Sequence, residues 1–322
     1  MLVIDAQTVR RLLPAAACIG VVREAMQRLS LGETRQPPRQ IVGLDHGRLL
    51  GSMPGALGGG SFFGAKVIGV DHAARSRGQP SHQGGILLFA PQSNGPVALI
   101  HAGEITAIRT AAASAVATDA LANPEASRLA VLGYGEQALA HARTIPLVRS
   151  IRELRVWGRD PVQAEDFARR LVAEGLPARA FQEVASCVAN ADIICTTTSA
   201  HDPVLFARHV SDGAHINLVG SSLLGPREVD DELVTRARFF CDSRPDALSQ
   251  AAEFDHARRA GLVDDSHLLG EIGEVLMGRV PGRTHPDELT IYKSLGNVVQ
   301  DLASARFVFE AAKAEGLSDI PF

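Results

Sequence analysis

Residues 129–140 read LAVLGYGEQALA, and this stretch decides the fold. A strand-forming apolar run ends at Gly133, and Gly135 and Ala138 complete a G-x-G-x-x-A pattern that opens into the helix-favouring residues 136–143. This is the spacing of the first strand, turn and helix of a dinucleotide-binding unit. Gly133 permits the tight turn, Gly135 lets backbone approach a pyrophosphate, and small Ala138 lets helix and strand pack closely while the helix N-terminus faces the anion. An ordinary strand-to-helix turn uses the same residue types, so the surrounding chain has to decide.

About 20 residues past such a loop, a second strand should meet the adenosine ribose. Residues 153–159, ELRVWGR, stand there. An NAD-preferring unit ends this strand with Asp or Glu, whereas here the place falls on Gly158, followed by Arg159. An acid repels a 2′-phosphate, and an arginine binds one through paired charge-assisted hydrogen bonds. The expectation is NADPH, with NADH possible; a solvated loop arginine is the alternative reading of Arg159.

The chain has 322 residues, enough for two domains with cores of their own. A hydrophobic share of 46% with 21% charged residues describes a globular protein, and a formal net charge of -4 gives no general attraction to nucleic acid or an anionic membrane. Cys18, Cys187, Cys195 and Cys241 are scattered, with no C-x-x-C pair and no histidine at zinc-ligand spacing. Buried thiols of a reducing compartment, and no metal, are expected. The first residues, MLVIDAQTVRRLL, do not read as a signal peptide, and the expected location is cytoplasmic.

Residues 2–4 read as a strand, Asp5 as a cap, and 18–31 as a helix with Val21, Val22, Met26 and Leu29 on one face. Short strands follow at 39–44, 48–53, 62–70, 85–89 and 97–101, with 54–60 a loop, 71–79 polar, and a hairpin turn at Ser93-Asn94-Gly95. Close succession without long helices implies an antiparallel or mixed sheet. From Arg109 the chain is alanine-rich and helical until Asn123-Pro124. Strands and helices then alternate through residue 242, which implies a parallel sheet covered on both faces. A final helix, 298–315, follows the loop 279–289, and its position suggests a return to the first domain.

Three cations outside the glycine loop stand out: Arg39, Lys66 in the apolar strand GAKVIGV, and Arg109, which heads its helix, a poor place for a cation against the helix dipole. Together they suggest a pocket for a small carboxylate. A surface Arg39, an edge-exposed Lys66 and an Arg109 paired with Glu104 or Asp119 are the plainer alternatives.

The strings PSHQGGILLF (80–89), GEITAIRTAAASAVAT (103–118), the glycine loop, GAHINLVGSS (213–222) and YKSLGNVVQD (292–301) stand in one order and spacing. The chain resembles the ornithine cyclodeaminase/mu-crystallin family over nearly its whole length. The resemblance implies an α/β fold in which a Rossmann domain, 122–293, is inserted in an α+β substrate and dimerisation domain, 1–121 plus 294–322, forming a homodimer. It places Arg39, Lys66 and Arg109 around a substrate carboxylate, with His82 and Ser222 beside the pocket. It places Thr110, Gly133, Gly135, Glu136, Gln137, Ala138, Trp157, Arg159, Thr197, Thr198, Ser199, Val219, Gly220 and Ser221 along the cofactor.

One departure bears on the reaction. Cyclodeaminase members resemble VGGD where this chain has VGSS, so Ser222 occupies the position of their Asp. A serine at neutral pH cannot serve as that carboxylate base. Ketimine reductase members carry Ser there. The expected reaction is therefore NAD(P)H-dependent reduction of a cyclic imino acid, Δ1-pyrroline-2-carboxylate or Δ1-piperideine-2-carboxylate, with Lys66 or a water as the proton source. Ornithine cyclodeaminase, an amino-acid or opine-type dehydrogenase, and a non-catalytic NADP-binding protein stand as alternatives.

Overall fold

The computed structural model describes residues 1–71, 74 and 82–321, the side chain of His82 excepted. The chain divides into two compact units, 1–109 with 297–322, and 110–296.

In chain order the first unit holds β1 (Leu2–Ile4), α1 (Ala6–Leu12), α2 (Ala15–Ser30), β2 (Gln40–Gly43), β3 (Leu49–Ala56), β4 (Phe63–Val70), β5 (His82–Phe89) and β6 (Pro96–His101), and α3 (Ala102–Leu121) follows. Asp5 caps α1 as its sequence position implies, accepting from Thr8 N at 2.8 Å. The sheet order is β1-β6-β5-β4-β3-β2, antiparallel except for the β1–β6 pair. Its inward face carries Ile4, Ile86, Ile100 and, in the same alternation, Lys66. The last helix, α11 (Val298–Ala314), belongs to this unit, lying across β3, β4 and β5 and against α2.

The second unit comprises β7 (Arg128–Leu132), α4 (Glu136–Thr144), β8 (Glu153–Trp157), α5 (Pro161–Ala173), β9 (Ala178–Phe181), α6 (Val184–Val188), β10 (Ile193–Thr196), β11 (His215–Leu218), α7 (Asp231–Arg236), β12 (Arg238–Cys241), α8 (Arg244–Gln250), α9 (Ala252–Arg259), β13 (Leu268–Glu271), α10 (Ile272–Leu276) and β14 (Thr290–Lys293). All strands pair in parallel in the order β13-β12-β14-β11-β10-β7-β8-β9. Read from β9, this is the doubly wound order of a dinucleotide-binding sheet, with β14 inserted between β11 and β12. Strands buried on both faces need near-continuous apolar runs, and RLAVL and IICT supply them.

Several expectations change. Residues 54–56 are strand, not loop: β2 begins at Gln40 opposite Ser52, so Pro54 lies beyond that neighbour and its missing N–H breaks no ladder bond there. Helix α3 starts at Ala102, which places Arg109 well inside it, so the helix-dipole argument for that arginine fails. The compact units divide within α3, between Arg109 and Thr110, where the sequence reading put the boundary after residue 121. The polar segment 71–79 lies mostly outside the described residues. The helices and strand across 244–276 were not expected. No helix among the described residues is long and apolar enough to cross a membrane.

Candidate functional site

Ligands of open parallel sheets bind beyond the carboxyl ends of the strands, where the strand order reverses. In the second unit that place lies between β7 and β10. Gly133 follows β7 with φ +127, and a Cβ there would come within 2.8 Å of Thr197 Oγ1 and 2.9 Å of its carbonyl oxygen. Its N–H donates to Trp157 O at 2.7 Å, which ties the glycine loop to the end of β8. Gly135 caps α4, Glu136 and Gln137 begin it, and fully buried Ala138 lets the helix sit close on the sheet. The free first-turn N–H groups of such a helix are an anion cradle. Gln137 Oε1 is buried there with no hydrogen-bond partner. Trp157 donates Nε1–H to Gln182 O at 3.1 Å, and Arg159 is exposed with no partner among the described residues.

Beyond β10 and β11, two loops are held by a residue the sequence reading missed. Fully buried Glu228 accepts from Thr196 Oγ1, Thr198 N, Thr198 Oγ1 and Gly220 N, each at 2.7 Å. Burial pushes its carboxyl above the usual range, against the hydrogen bonds from Thr196 and Thr198. An obligate backbone donor on each oxygen, Thr198 N on Oε1 and Gly220 N on Oε2, favours the carboxylate form. Gly220 is obligatory, since a Cβ would overlap Thr198 O and Glu228 Oε1. Of the predicted cofactor residues, Thr198 and Gly220 share this brace; Thr197 Oγ1 donates to Leu132 O, Val219 N to Thr196 O and buried Ser221 Oγ to Leu223 O, while Ser199 is exposed and Ser222 half-buried. Glu228 N in turn donates to Glu253 Oε1 at 3.2 Å, and Glu253 forms a fully buried ion pair with Lys293 at 2.8 Å. Nothing in the string GPREVD marks Glu228 beforehand.

In the first unit, strand register puts Arg39 and Lys66 on one sheet face: Arg39 precedes Gln40, which pairs Ser52, and Met53 pairs Lys66. Lys66 and Arg109 are 3% and 4% exposed. Both meet Asp301 of α11, Lys66 Nζ at 2.7 Å from Oδ2 and Arg109 Nε donating to Oδ1 at 2.8 Å. Arg109 Nη1 also donates to Gln300 Oε1 at 3.1 Å, and Lys66 Nζ reaches Thr106 Oγ1 at 3.4 Å. Burial lowers Lys66 to about 8, against the pull of Asp301 and with the push of Arg109 and Arg39. Burial alone would raise Asp301; Arg109 and Lys66 hold its carboxyl below the ordinary range. One carboxylate between two cations leaves a net positive charge. Gln300 Nε2 is buried there without a partner, and Arg109 Nη2 makes no hydrogen bond among the described residues. A buried cationic cluster with spare donors is suited to a carboxylate. His82 stands at the start of β5, with its side chain outside the described residues; Thr110 follows Arg109 in α3 and is buried.

The profile of the ornithine cyclodeaminase/mu-crystallin family matches residues 1–316. The chain belongs to this family. It is 36% identical over 281 residues to the ketimine reductase mu-crystallin of Mus musculus, covering 87% of this chain and 86% of that protein. It is 31% identical to a Δ1-pyrroline-2-carboxylate reductase of Bacillus cereus across 99% of both chains. The Thermococcus litoralis Δ1-pyrroline-2-carboxylate reductase, solved with NADH and L-proline, superposes with a TM-score of 0.96 at 28% identity, over 99% of this chain and 100% of that one. Asp301, also missed in the sequence reading, is the last residue of the family-like string YKSLGNVVQD, so the string did signal the position without its role.

Proposed function

We propose that this family member is an NAD(P)H-dependent ketimine reductase that converts Δ1-pyrroline-2-carboxylate or Δ1-piperideine-2-carboxylate to L-proline or L-pipecolate. The observation that carries the reading is the buried Lys66–Asp301–Arg109 cluster with its unmatched positive charge. Arg109, with Arg39 on the same sheet face, binds the imino-acid carboxylate. Asp301 keeps Lys66 charged in a buried place, and an ammonium titrating at about 8 is protonated at neutral pH and able to give a proton to the substrate nitrogen. Ser222 stands where a cyclodeaminase needs its acid, so nothing here retains and releases ammonia.

The cofactor is held by the glycine loop, the first turn of α4, Arg159 and the loops braced by Glu228. When bound, it supplies the hydride for the imine carbon. NADPH is preferred and NADH accepted, because Arg159 suits a 2′-phosphate and Gly158, at the end of β8, carries no acid to repel one.

The protein works as a homodimer. Val3, Val42, Leu50, Val67 and Leu99 expose an apolar stripe on the outer sheet face of the first unit, at 51%, 54%, 38%, 43% and 38%, and a second copy would cover it. The test is loss of NADPH absorbance on adding either imine, beside an assay for ammonia from L-ornithine with NAD+. Oxidation without ammonia is expected. Ammonia release with both imines untouched would reject the reductase.

A further inference from the structure

We propose that Tyr134 and Gly158 form a coupled pair that sets cofactor choice: the Tyr134 ring keeps the end of β8 closed to the acidic side chain that NAD recognition uses, and so leaves a subsite for a dinucleotide bearing a 2′-phosphate. The inference rests on reading the second unit as a dinucleotide site.

The residue after the second strand of such a unit meets the adenosine ribose. Here it is Gly158, buried although Arg159 and Asp160 beside it are exposed. Tyr134 covers it. This residue lies between the two glycines of the phosphate loop, and a Cβ built on Gly158 would overlap ring atoms Cδ1 and Cε1. The ring at 134 and an Asp or Glu at 158 therefore compete for one volume. Tyr134 itself is half-buried and makes no hydrogen bond among the described residues, so nothing but packing places the ring there.

The charges agree with the sterics. The Asp160 carboxylate caps α5 through Oδ1, which accepts from Val162 N at 2.9 Å and Gln163 N at 3.3 Å and holds the group toward the helix. Among residues 157–160 the one cation is Arg159. At the strand end itself a 2′-phosphate finds a neighbouring cation and no acid at 158, and a bare 2′-hydroxyl finds no carboxylate on residue 158 to accept its hydrogen bond. Changing the strand end alone would not convert the site, because the new side chain would meet the ring.

The test is a double-mutant cycle on cofactor binding, read from quenching of Trp157, the one tryptophan of the chain, by the reduced nicotinamide. Wild type, Y134A, G158D and Y134A/G158D are titrated with NADPH and with NADH. The wild type and Y134A should favour NADPH by about tenfold or more, since both keep Arg159 and neither carries an acid. G158D should weaken both cofactors, and Y134A/G158D should bind NADH about tenfold better than G158D and prefer it to NADPH. Where G158D fails to fold, Y134A/G158D against Y134A still tests the acid with the ring absent. The pair is refuted if G158D alone improves NADH binding as much as the double variant does, if the double variant still prefers NADPH, or if the wild type shows no preference. A wild type that binds neither cofactor refutes the dinucleotide reading too. Tight cofactor binding with both imines untouched refutes the reductase and leaves the pair standing.

Discussion

Lys66 Nζ stands 2.7 Å from Asp301 Oδ2, an ion pair with side chains 4% and 0% exposed. A lysine buried in this way survives as an ammonium only because the carboxylate faces it. If Lys66 protonates the imine nitrogen, kcat/KM falls as pH rises through about 8, where the ammonium is lost. Asp301 raises the affinity of Lys66 for its proton, so Asp301→Asn moves that limb to lower pH. It also leaves two buried cations without their counter-charge, at about 3–5 kcal/mol of stability. Profiles of kcat/KM against pH and urea unfolding of both proteins check this; an unmoved limb excludes Lys66 as the donor.

Arg109→Ala should lower kcat/KM for either imine by about a hundredfold or more, the scale expected when one partner of a desolvated charge pair is truncated. Arg109→Lys should not restore it, because an ammonium cannot span Asp301, Gln300 and a substrate carboxylate with a planar fork. Steady-state kinetics with the two variants decide the point.

Glu228→Gln replaces an acceptor of four hydrogen bonds with an amide whose NH2 must face donors. An unsatisfied buried group of this kind costs about 1–3 kcal/mol. The loops at Thr198 and Gly220 should loosen together. The cofactor Kd should rise by about tenfold, with Lys66-dependent proton transfer, read from the pH profile, unchanged.

Two buried histidines make the second unit sensitive to acid. Burial lowers His141, bonded to Gln137 O and Ser114 Oγ, to about 4, and His215, bonded to Thr290 Oγ1 and Asn217 Oδ1, to about 3. Below their ordinary value of 6.5 the unfolded chain takes up protons that the folded chain refuses. Stability present above pH 6.5 is therefore lost as pH falls toward 4 and 3, by about 1.4 kcal/mol per unit for each histidine. His141→Gln should flatten that slope in denaturant unfolding followed from pH 7 to 5.

Cys18, Cys187, Cys195 and Cys241 are all buried and unpaired, and burial pushes the first three thiols up to about 12. Native protein should leave a thiol reagent unreacted at pH 8, and denatured protein should titrate all four.

Where a feature depends on residues a few positions apart, it was legible. The glycine loop, the strand-helix alternation through residue 242 and the cap at Asp5 are local patterns, and each folds as its spacing implies. Residues 244–276 were not legible because their elements are short and β14, which settles the sheet order, enters between β11 and β12 from far along the chain. Arg109 shows the limit at a single residue: its prominence was evident, but the reason given for it was wrong, because α3 begins at Ala102.

By itself the sequence determined the two kinds of unit, the glycine loop, the three cations and the serine at 222, all of which are questions of residue type and short spacing. Tertiary structure decided what those residues face. Arg109 and Asp301 are separated by 192 residues, and only the return of α11 to the first sheet brings that carboxylate between Lys66 and Arg109. The same holds for Glu228 and Thr198, and for Tyr134 and Gly158: periodicity records which side of an element a residue occupies, whereas a contact across elements is fixed by how their buried faces pack.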